Sequence, residues 1–529
     1  MEIMIFDSTL RDGAQAEGIS FSVEDKIKIV KKLDELGVSY IEAGNPGSNP
    51  KDLEFFERMH NVSLLNAKLT AFGSTRRRGI TAEEDANVQH LLSANTPAIA
   101  IFGKSWDFHV TDIIRATLEE NLEMIYDTIA FLKAKGKEVV YDAEHFFDGY
   151  INNKEYALKT LQAALDARAD SVCLCDTNGG CFPEKIFEII QDVAKKFPQA
   201  KTIGIHCHND CGMAVANSIM AVRAGALQVQ GTFIGFGERC GNANLSTIIA
   251  NLQLKAGYNC IPEEQLSNIT GAARAIAEIA NITLNEREPY IGRSAFAHKG
   301  GMHIDGVSKN PSSFEHINPE LVGNERKFLT SEVAGRSTIL EKIQRIAPDI
   351  TKDSPQTAAI MARLKEMEHE GYQFEGAEST FALVIRKELG KYKPFFKLLH
   401  YKIIGEQPNE NGVSATALIK ILVDGKEEVT AAEGLGPVNA LDKALRKALV
   451  AFYPAVSQIH LRDYKVRVMD SGAATASKVR VLIESCDGYD TWSTVGVSHD
   501  IIGASWIALV DSIEYKLISD IEKKFKAYL

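Results

Sequence analysis

The sequence has no long hydrophobic run and few cysteines for its length. None of its apolar segments approaches the ~18 consecutive apolar residues that a membrane-spanning helix requires. Its 8 cysteines are spread over 529 residues, whereas a disulfide scaffold is small and rich in cysteine. These absences argue against an integral membrane protein and against a disulfide-rich secreted domain. We expect the thiols to be reduced.

The chain also lacks an excess of basic residues. It has 70 acidic and 59 basic side chains and a formal net charge of -11, which makes it a poor candidate for binding a nucleic acid or an anionic membrane. The N-terminus carries Glu2 and Asp7 in a strand-like segment, where a secretory signal would have basic residues before an apolar block. We therefore expect a cytoplasmic protein.

Short apolar segments alternate with longer segments of helical period from Met1 to about Cys260. The predicted strands are Ile3–Phe6, Tyr40–Glu42, Lys68–Phe72, Ala98–Phe102, Glu138–Tyr141, Ser171–Cys175, Thr202–His206 and Leu227–Phe233. Eight strands separated by helices favour one (β/α)8 TIM barrel, and an open doubly wound sheet is the alternative. Polar, glycine-rich segments follow the strands, so we expect the active site at that face.

The rest of the chain predicts a helical subdomain and then an α+β domain. The polar segment 296–313 interrupts the helical part. Its first part, 296–306, is too polar and glycine-rich for a core helix, so we expect a loop there. Ala415–Leu449 predicts strand, turn, strand, bend and helix, and Thr475–Ile513 repeats this order. Two β-β-α units bury little alone, which predicts pairing with each other or with a second chain. The expected domains are 1–265, 266–390 and 391–529.

A possible metal site lies at the end of the seventh predicted strand. Side chains alternate along a strand, so His206 and His208 point to one side and Cys207 to the other. Two strand histidines are also compatible with a core or surface role. Asp12 and Asn242 follow the first and eighth strands, and the four side chains together suit Mg²⁺, Mn²⁺ or Zn²⁺.

Other polar residues predicted near this face suit proton transfer and charge stabilisation. Arg11 would place a cation beside the metal, or would form an ion pair at the rim. Glu144 suits orienting water, transferring a proton or pairing with Arg11. His298 and His303 are candidate bases or solvated loop histidines.

Three motifs occur in order on this barrel pattern: Phe6–Gln15 (FDSTLRDGAQ), His206–Asp210 (HCHND) and Gly237–Asn242 (GERCGN). With them the chain resembles the acyl-CoA-condensing, metal-dependent barrels, the family of 2-isopropylmalate, homocitrate and citramalate synthases. The resemblance extends over nearly the whole chain. Ile41–Gly47 and Gly73–Gly79 look most like the citramalate-forming branch.

The resemblance implies roles for particular residues. The metal ligands would be Asp12, His206 and His208, with Asn242 close by or ligating. The residues acting on the substrates would be Arg11 on the oxo group, Glu144 assisting, Thr177 on the substrate carboxylate and His303 as the base. Ala14 and Phe314 stand where many members have Glu and Tyr.

The same resemblance implies a reaction and its control. Acetyl-CoA would condense with pyruvate and the thioester would be hydrolysed, giving (R)-citramalate and CoA on a pyruvate route to isoleucine. Mg²⁺ or Mn²⁺ is the expected metal, with Zn²⁺ as a further possibility. The C-terminal domain would bind a regulatory amino acid, isoleucine by resemblance, and would form a homodimer. No nucleic acid or membrane partner is expected.

Other functions remain open at this point. The barrel also suits 2-isopropylmalate or homocitrate synthesis, or an acyl-CoA lyase that shares the metal site. The C-terminal repeat argues against a stand-alone lyase, because feedback control suits a first biosynthetic step. A non-enzymatic amino-acid sensor is a third class, against which the set Arg11, Asp12, Glu144, His206 and His208 argues.

Overall fold

The computed structural model describes residues 1–47, 49–329, 336–374, 376–405, 412, 414–469, 477–488 and 490–528. The chain forms two compact units, the first containing Met1–Ala297 and Glu315–Lys327, the second His298–Phe314 and Phe328–Leu529. Hydrophobic clusters are buried within each unit. Among the described residues, no helix is both long enough and apolar enough to cross a membrane.

The first unit is built around a closed parallel barrel. Its strands are β1 (Met4–Asp7), β2 (Tyr40–Glu42), β3 (Lys68–Ser74), β4 (Ala98–Lys104), β5 (Glu138–Glu144), β6 (Ser171–Asp176), β7 (Ile203–Cys207) and β8 (Gln228–Gly231). They pair in chain order, and β8 closes on β1. The predicted (β/α)8 barrel is confirmed. β5 continues beyond the predicted Tyr141, so Asp142 and Glu144 are strand residues.

Helices surround the barrel: α1 (Val23–Leu36), α2 (Pro50–Met59), α3 (Ala86–Ser93), α4 (Leu118–Ala134), α5 (Phe146–Asn152), α6 (Lys154–Asp166), α7 (Pro183–Lys196), α8 (Ala214–Ala224), α9 (Leu245–Leu254) and α10 (Ile269–Ile279). α1 shows why such segments are helical. A capping box between Ser22 and Asp25 begins it, and Gly37, with φ of 90°, ends it. Its buried face includes Ile29 and Leu33.

The barrel interior has an apolar part and a polar part. Phe6, Tyr40 and small residues such as Ala98 and Ala100 form a cluster separate from the large core around the barrel. The polar residues Asp142, His206 and Gln230 are also buried. Because side chains alternate along a strand, β4 turns Ala100 into one cluster and Ile99 and Ile101 into the other.

The second unit contains a short helix, α11 (Gly301–Lys309), and then three longer helices, α12 (Arg336–Ile346), α13 (Pro355–Glu370) and α14 (Glu378–Glu388). Two short strands, β9 (Ala297–His298) and β10 (Lys327–Phe328), lie where the chain passes between the units. The loop expected over 296–306 was wrong in part, because α11 begins at Gly301. This helix buries only Ile304 and Val307, so the segment has little of the apolar pattern of a core helix.

Two similar sheets with helices follow. The first contains β11 (Lys397–Gly405), β12 (Ala415–Val423), β13 (Lys426–Gly434) and α15 (Pro437–Val450); the second contains β14 (His460–Val468), β15 (Val479–Cys486), β16 (Thr491–Ser498) and α16 (Ile501–Tyr528). The predicted repeat is confirmed, and each sheet has a third antiparallel strand, β11 or β14. The predicted start of the second repeat, Thr475, lies outside the described residues.

A hairpin turn and a buried carboxylate mark this part of the chain. Asp424 and Gly425 have φ of 47° and 77°, the left-handed conformations that Asp-Gly adopts in a tight hairpin. On α16, Glu514 Oε1 accepts a 3.1 Å hydrogen bond from the Phe395 N–H. Its Oε2 is buried with no hydrogen-bond partner among the described residues. Burial therefore raises the pKa of Glu514 from its ordinary 4.5 to about 7, despite that bond.

This raised pKa predicts how stability depends on pH. The native state holds the Glu514 proton more tightly than the unfolded chain, so its stabilising contribution is complete below pH 4.5 and is lost as pH rises through about 7. Glu514→Gln should flatten this dependence and be more stable than wild type at pH 8 by about 1–3 kcal/mol. Urea unfolding at pH 5.5 and 8 measures the difference. Glu522→Gln, an exposed change on α16, is the control. If the stability of Glu514→Gln depends on pH as strongly as that of wild type, the assignment is wrong.

Candidate active site

The structure brings Asp12, His206 and His208 together at the mouth of the barrel. All three are buried, and their potential ligand atoms lie within 4.8 Å of one another. Asp12 Oδ2 is 3.3 Å from His206 Nε2 and 3.8 Å from His208 Nε2. The predicted alternation is observed, because Cys207 packs into the core around the barrel. These three residues are a candidate metal-binding group.

Asn242 completes the surroundings of this group. It forms an antiparallel bridge with His208, and its Nδ2 is 3.2 Å from Asp12 Oδ2 and 3.4 Å from His206 Nε2. A Cβ atom at Gly237 would overlap the Asn242 Oδ1 atom, so a larger residue there would displace the Asn242 carboxamide. Asn242 is therefore adjacent to the group, and ligation through its oxygen requires the carboxamide to turn over.

The chemistry of these side chains fits a divalent cation. Asp12 Oδ1 and Asn242 Oδ1 are buried without hydrogen-bond partners in the part of the chain that the structure describes, and such atoms are costly unless something satisfies them. Burial raises the pKa of Asp12, but the charge of Arg11 and the contact with His206 hold this pKa well below its ordinary value. Burial and then the neighbouring His206 lower the pKa of His208 to about 4. An ionised carboxylate and a neutral imidazole are the forms that bind metals.

Arg11 is fixed by a carboxylate that the sequence analysis did not identify. Its Nε donates to Glu42 Oε2 at 2.6 Å, and its Nη1 is 3.3 Å from Asp12 Oδ2. The guanidinium carbon lies 3.8 Å from the centre of the Phe72 ring. Glu42 also accepts a hydrogen bond from the Ser8 hydroxyl. A carboxylate at the carboxyl end of barrel strand β2 was the available indication, since active sites collect there.

Glu144 pairs with Lys104, another residue that sequence reasoning missed. The two lie opposite each other in the β4–β5 register and form an ion pair. The predicted alternative in which Glu144 pairs with Arg11 is therefore not observed. The next residue, His145, has a left-handed backbone with φ of 56°. Its N–H donates to Thr177 Oγ1 at 2.8 Å, which fixes the Thr177 side chain against the backbone at the end of β5.

His298 and His303 lie in the second unit. His303 is an exposed residue of α11, and its ring stacks on Phe314 with centroids 4.1 Å apart. His298 is buried, with its ring 6.2 Å from that of Phe328. Phe314, where a tyrosine was expected from the family resemblance, therefore serves as a packing surface for His303.

Comparisons with known proteins agree with this arrangement. Residues 2–276 match the HMGL-like family, 290–372 match the homocitrate synthase post-HMGL domain-like family, and 375–517 match the LeuA allosteric (dimerisation) domain. The barrel and its polar mouth thus belong to an HMGL-like enzyme of the acyltransferase class, followed by a domain that matches the LeuA allosteric (dimerisation) family.

Full-length relatives narrow this class. The chain is 53% identical over 523 residues to the (R)-citramalate synthase of Aquifex aeolicus, covering 99% of each chain. It is 52% identical over 516 residues to that of Geobacter sulfurreducens, covering 97% of each. It is 49% identical over 525 residues to that of Synechocystis, covering 97% of this chain and 96% of the relative. The chain belongs to the (R)-citramalate synthase family.

The candidate metal group predicts stabilisation by a divalent ion. An ion that binds only the folded protein stabilises it by about 3 kcal/mol at about 100 times its Kd, so Mn²⁺ should raise the thermal unfolding temperature of metal-free protein. Asp12→Asn should abolish most of this increase, because the amide supplies no charge. The control is Asp210→Asn, which changes a carboxylate that is paired with Arg239 at 2.9 Å. This variant should keep the Mn²⁺-induced rise in unfolding temperature. An equal Mn²⁺ response in wild type and Asp12→Asn would refute the assignment.

Proposed function

We propose that the protein condenses acetyl-CoA with pyruvate and hydrolyses the resulting thioester, giving (R)-citramalate and CoA. The observation that carries the proposal is the buried group of Asp12, His206 and His208 with Arg11 against it. A 2-oxo acid offers a carboxylate and a carbonyl side by side, which suits a chelating ion flanked by a cation. The names of the full-length relatives support pyruvate as the oxo acid.

The metal would be held by Asp12, His206 and His208, with Asn242 adjacent or ligating. Mg²⁺ or Mn²⁺ suits a mixed oxygen and nitrogen set that keeps open positions, and Zn²⁺ is compatible with it. When bound, such an ion supplies a Lewis acid that polarises the oxo group.

The other residues bind the oxo acid and stabilise charge. Arg11, held by Glu42, presents a permanent cation to the oxo oxygen as negative charge develops there. Thr177 contacts the substrate carboxylate through its hydroxyl. Glu144, paired with Lys104, orients the water that hydrolyses the thioester and accepts its proton.

Carbon–carbon bond formation requires a base for the acetyl methyl group. His303 takes this proton, and the enolate carbon attacks the keto carbon of pyruvate while the keto oxygen gains a proton. Water then cleaves the thioester, releasing CoA, and this hydrolysis makes the reaction irreversible. In the proposal α11 delivers His303, from the same chain or from a partner, and Phe314 orients the imidazole by stacking on it.

The proposed domain boundaries follow the chemistry. Residues 1–265 form the catalytic barrel, 266–390 a linker subdomain that contributes to the active site, and 391–529 a regulatory and dimerisation domain. Isoleucine is the proposed effector, because feedback by the final product suits the first step of its route. We place the enzyme in the cytoplasm as a homodimer.

Release of free thiol from acetyl-CoA tests the reaction. With Mg²⁺ or Mn²⁺ present, release should depend on pyruvate and be at least ~10-fold slower with 2-oxoisovalerate or 2-oxoglutarate, because extra side-chain bulk must fit the pocket. Chiral chromatography should identify (R)-citramalate. Preference for another oxo acid would overturn the substrate assignment. Absence of thiol release with every oxo acid would favour the lyase or sensor alternatives.

Regulation is tested with the full chain. Isoleucine should lower the pyruvate-dependent rate, whereas leucine and valine at the same concentration should have a smaller effect. Isothermal titration without substrates should then detect isoleucine binding. If no branched-chain amino acid changes the rate or binds, the regulatory assignment is wrong.

A further inference from the structure

A chain of hydrogen bonds runs from the candidate metal group into the barrel. Gln230 Oε1 is 3.2 Å from His206 Nδ1, and Gln230 Nε2 donates to Asp142 Oδ1 at 2.8 Å. All three side chains are buried, with Gln230 completely inaccessible. The connection therefore lies away from solvent, where a hydrogen bond is not exchanged readily for one to water.

The barrel topology places these residues within reach of one another. His206 and Gln230 are direct partners in the β7–β8 register, so their side chains are neighbours inside the barrel. Asp142 comes from β5, which is separated from β8 by β6 and β7. The β6 residue paired with Asp142 is Cys173, a small side chain, so the long Gln230 side chain spans the interior to Asp142.

The donors and acceptors in this series of hydrogen bonds determine which atom donates in each bond. Gln230 Nε2 donates to Asp142 Oδ1, so the amide nitrogen of Gln230 faces Asp142 and its oxygen faces His206. That oxygen only accepts, so the proton of the neutral imidazole is on Nδ1. The lone pair is then on Nε2, the atom that lies 3.3 Å from Asp12 Oδ2.

His208 provides a contrast within the same group. Its Nδ1 is buried and has no hydrogen-bond partner among the described residues. The fold therefore fixes the His206 imidazole through a hydrogen bond to Nδ1, whereas the tautomer of His208 is set by the ligand that it binds. A change behind His206 should affect the metal group through that histidine alone.

We propose that Gln230 and Asp142 are positioning residues that hold His206 as its Nδ1–H tautomer with Nε2 presented to the metal. This inference rests on the metal-dependent function proposed above. Removing such an outer partner of a ligating histidine costs about 10- to 100-fold in metal affinity. Neither residue touches the substrate or the ion in this account.

The first test compares two matched variants. Gln230→Leu keeps the approximate volume but cannot accept the Nδ1 proton, and it should weaken Mn²⁺ binding by about 10- to 100-fold. Gln228→Leu lies on the same strand and face. Gln228 Oε1 accepts from the Ser171 hydroxyl at 3.3 Å, and among the described residues no hydrogen bond joins Gln228 to His206 or His208. It should bind Mn²⁺ like wild type. Titrations of metal-free protein followed by electron paramagnetic resonance give both affinities without substrate.

The second test reverses the hydrogen bonds. Gln230→Glu alone places two carboxylates together and should lose affinity. The double variant Gln230→Glu/Asp142→Asn again offers an acceptor to His206 Nδ1 and a donor to that acceptor, with the original net charge. It should recover Mn²⁺ affinity to within about 3-fold of wild type, well inside the loss expected for an outer partner.

The tautomer of His206 can also be measured, and it should not change if the role of Gln230 is purely structural. In ¹⁵N-histidine spectra of metal-free protein, His206 should show a protonated Nδ1 in wild type and in the double variant, and a mixture in Gln230→Leu. Equal Mn²⁺ affinity in wild type and Gln230→Leu, or an equal loss in both leucine variants, would overturn the proposal. None of these measurements uses a substrate. If the Mn²⁺ affinities are as expected but the protein does not synthesise citramalate, the proposed reaction is wrong and the positioning role of Gln230 and Asp142 stands.

Discussion

Closure of the barrel between β8 and β1 is the constraint on which the site depends. This pairing brings Asp12, near the start of the chain, beside His206 and Asn242. The register sets Asp7 opposite Gly231, and the Ser8 N–H donates to the Gly231 carbonyl at 2.8 Å. Farther on, the Phe233 N–H donates to Thr9 Oγ1 at 2.9 Å. The loop that carries Arg11 and Asp12 is therefore fastened to the end of β8.

Concentrated negative charge is the second feature of this site. Glu42, Asp12 and Asp142 are all buried there, and burial with the neighbouring charge of Glu42 raises the pKa of Asp142 to about 7. Arg11 offsets part of this charge through Glu42 and Asp12. A buried carboxylate needs a cation or several hydrogen bonds to remain ionised. A divalent ion beside Asp12 would supply that second positive charge, so the proposed metal would serve both the stability of the folded barrel and catalysis.

The sequence predicted those features that leave a periodic or local pattern. Alternating apolar segments predicted the barrel, and the His206–Asp210 motif predicted that His206 and His208 would meet. Glu42, Lys104, Asp142 and Gln230 were missed because a polar residue inside a barrel strand looks like one on a solvated face until closure shows which side it faces. β11 and β14 were missed for a related reason: few of their residues are buried, so their apolar alternation is weak. The Asn242 carboxamide orientation depends on contacts across the barrel that no local pattern encodes.

In the proposed mechanism, Asp12, His206 and His208 hold an ion whose open positions receive the 2-oxo acid. Water-proton relaxation measures it most directly: protein loaded with Mn²⁺ is titrated with pyruvate in the absence of acetyl-CoA. The relaxation enhancement should fall in a saturable way, because pyruvate replaces water at the ion, and Asp12→Asn should give no enhancement to lose. An enhancement that pyruvate leaves unchanged would contradict the account.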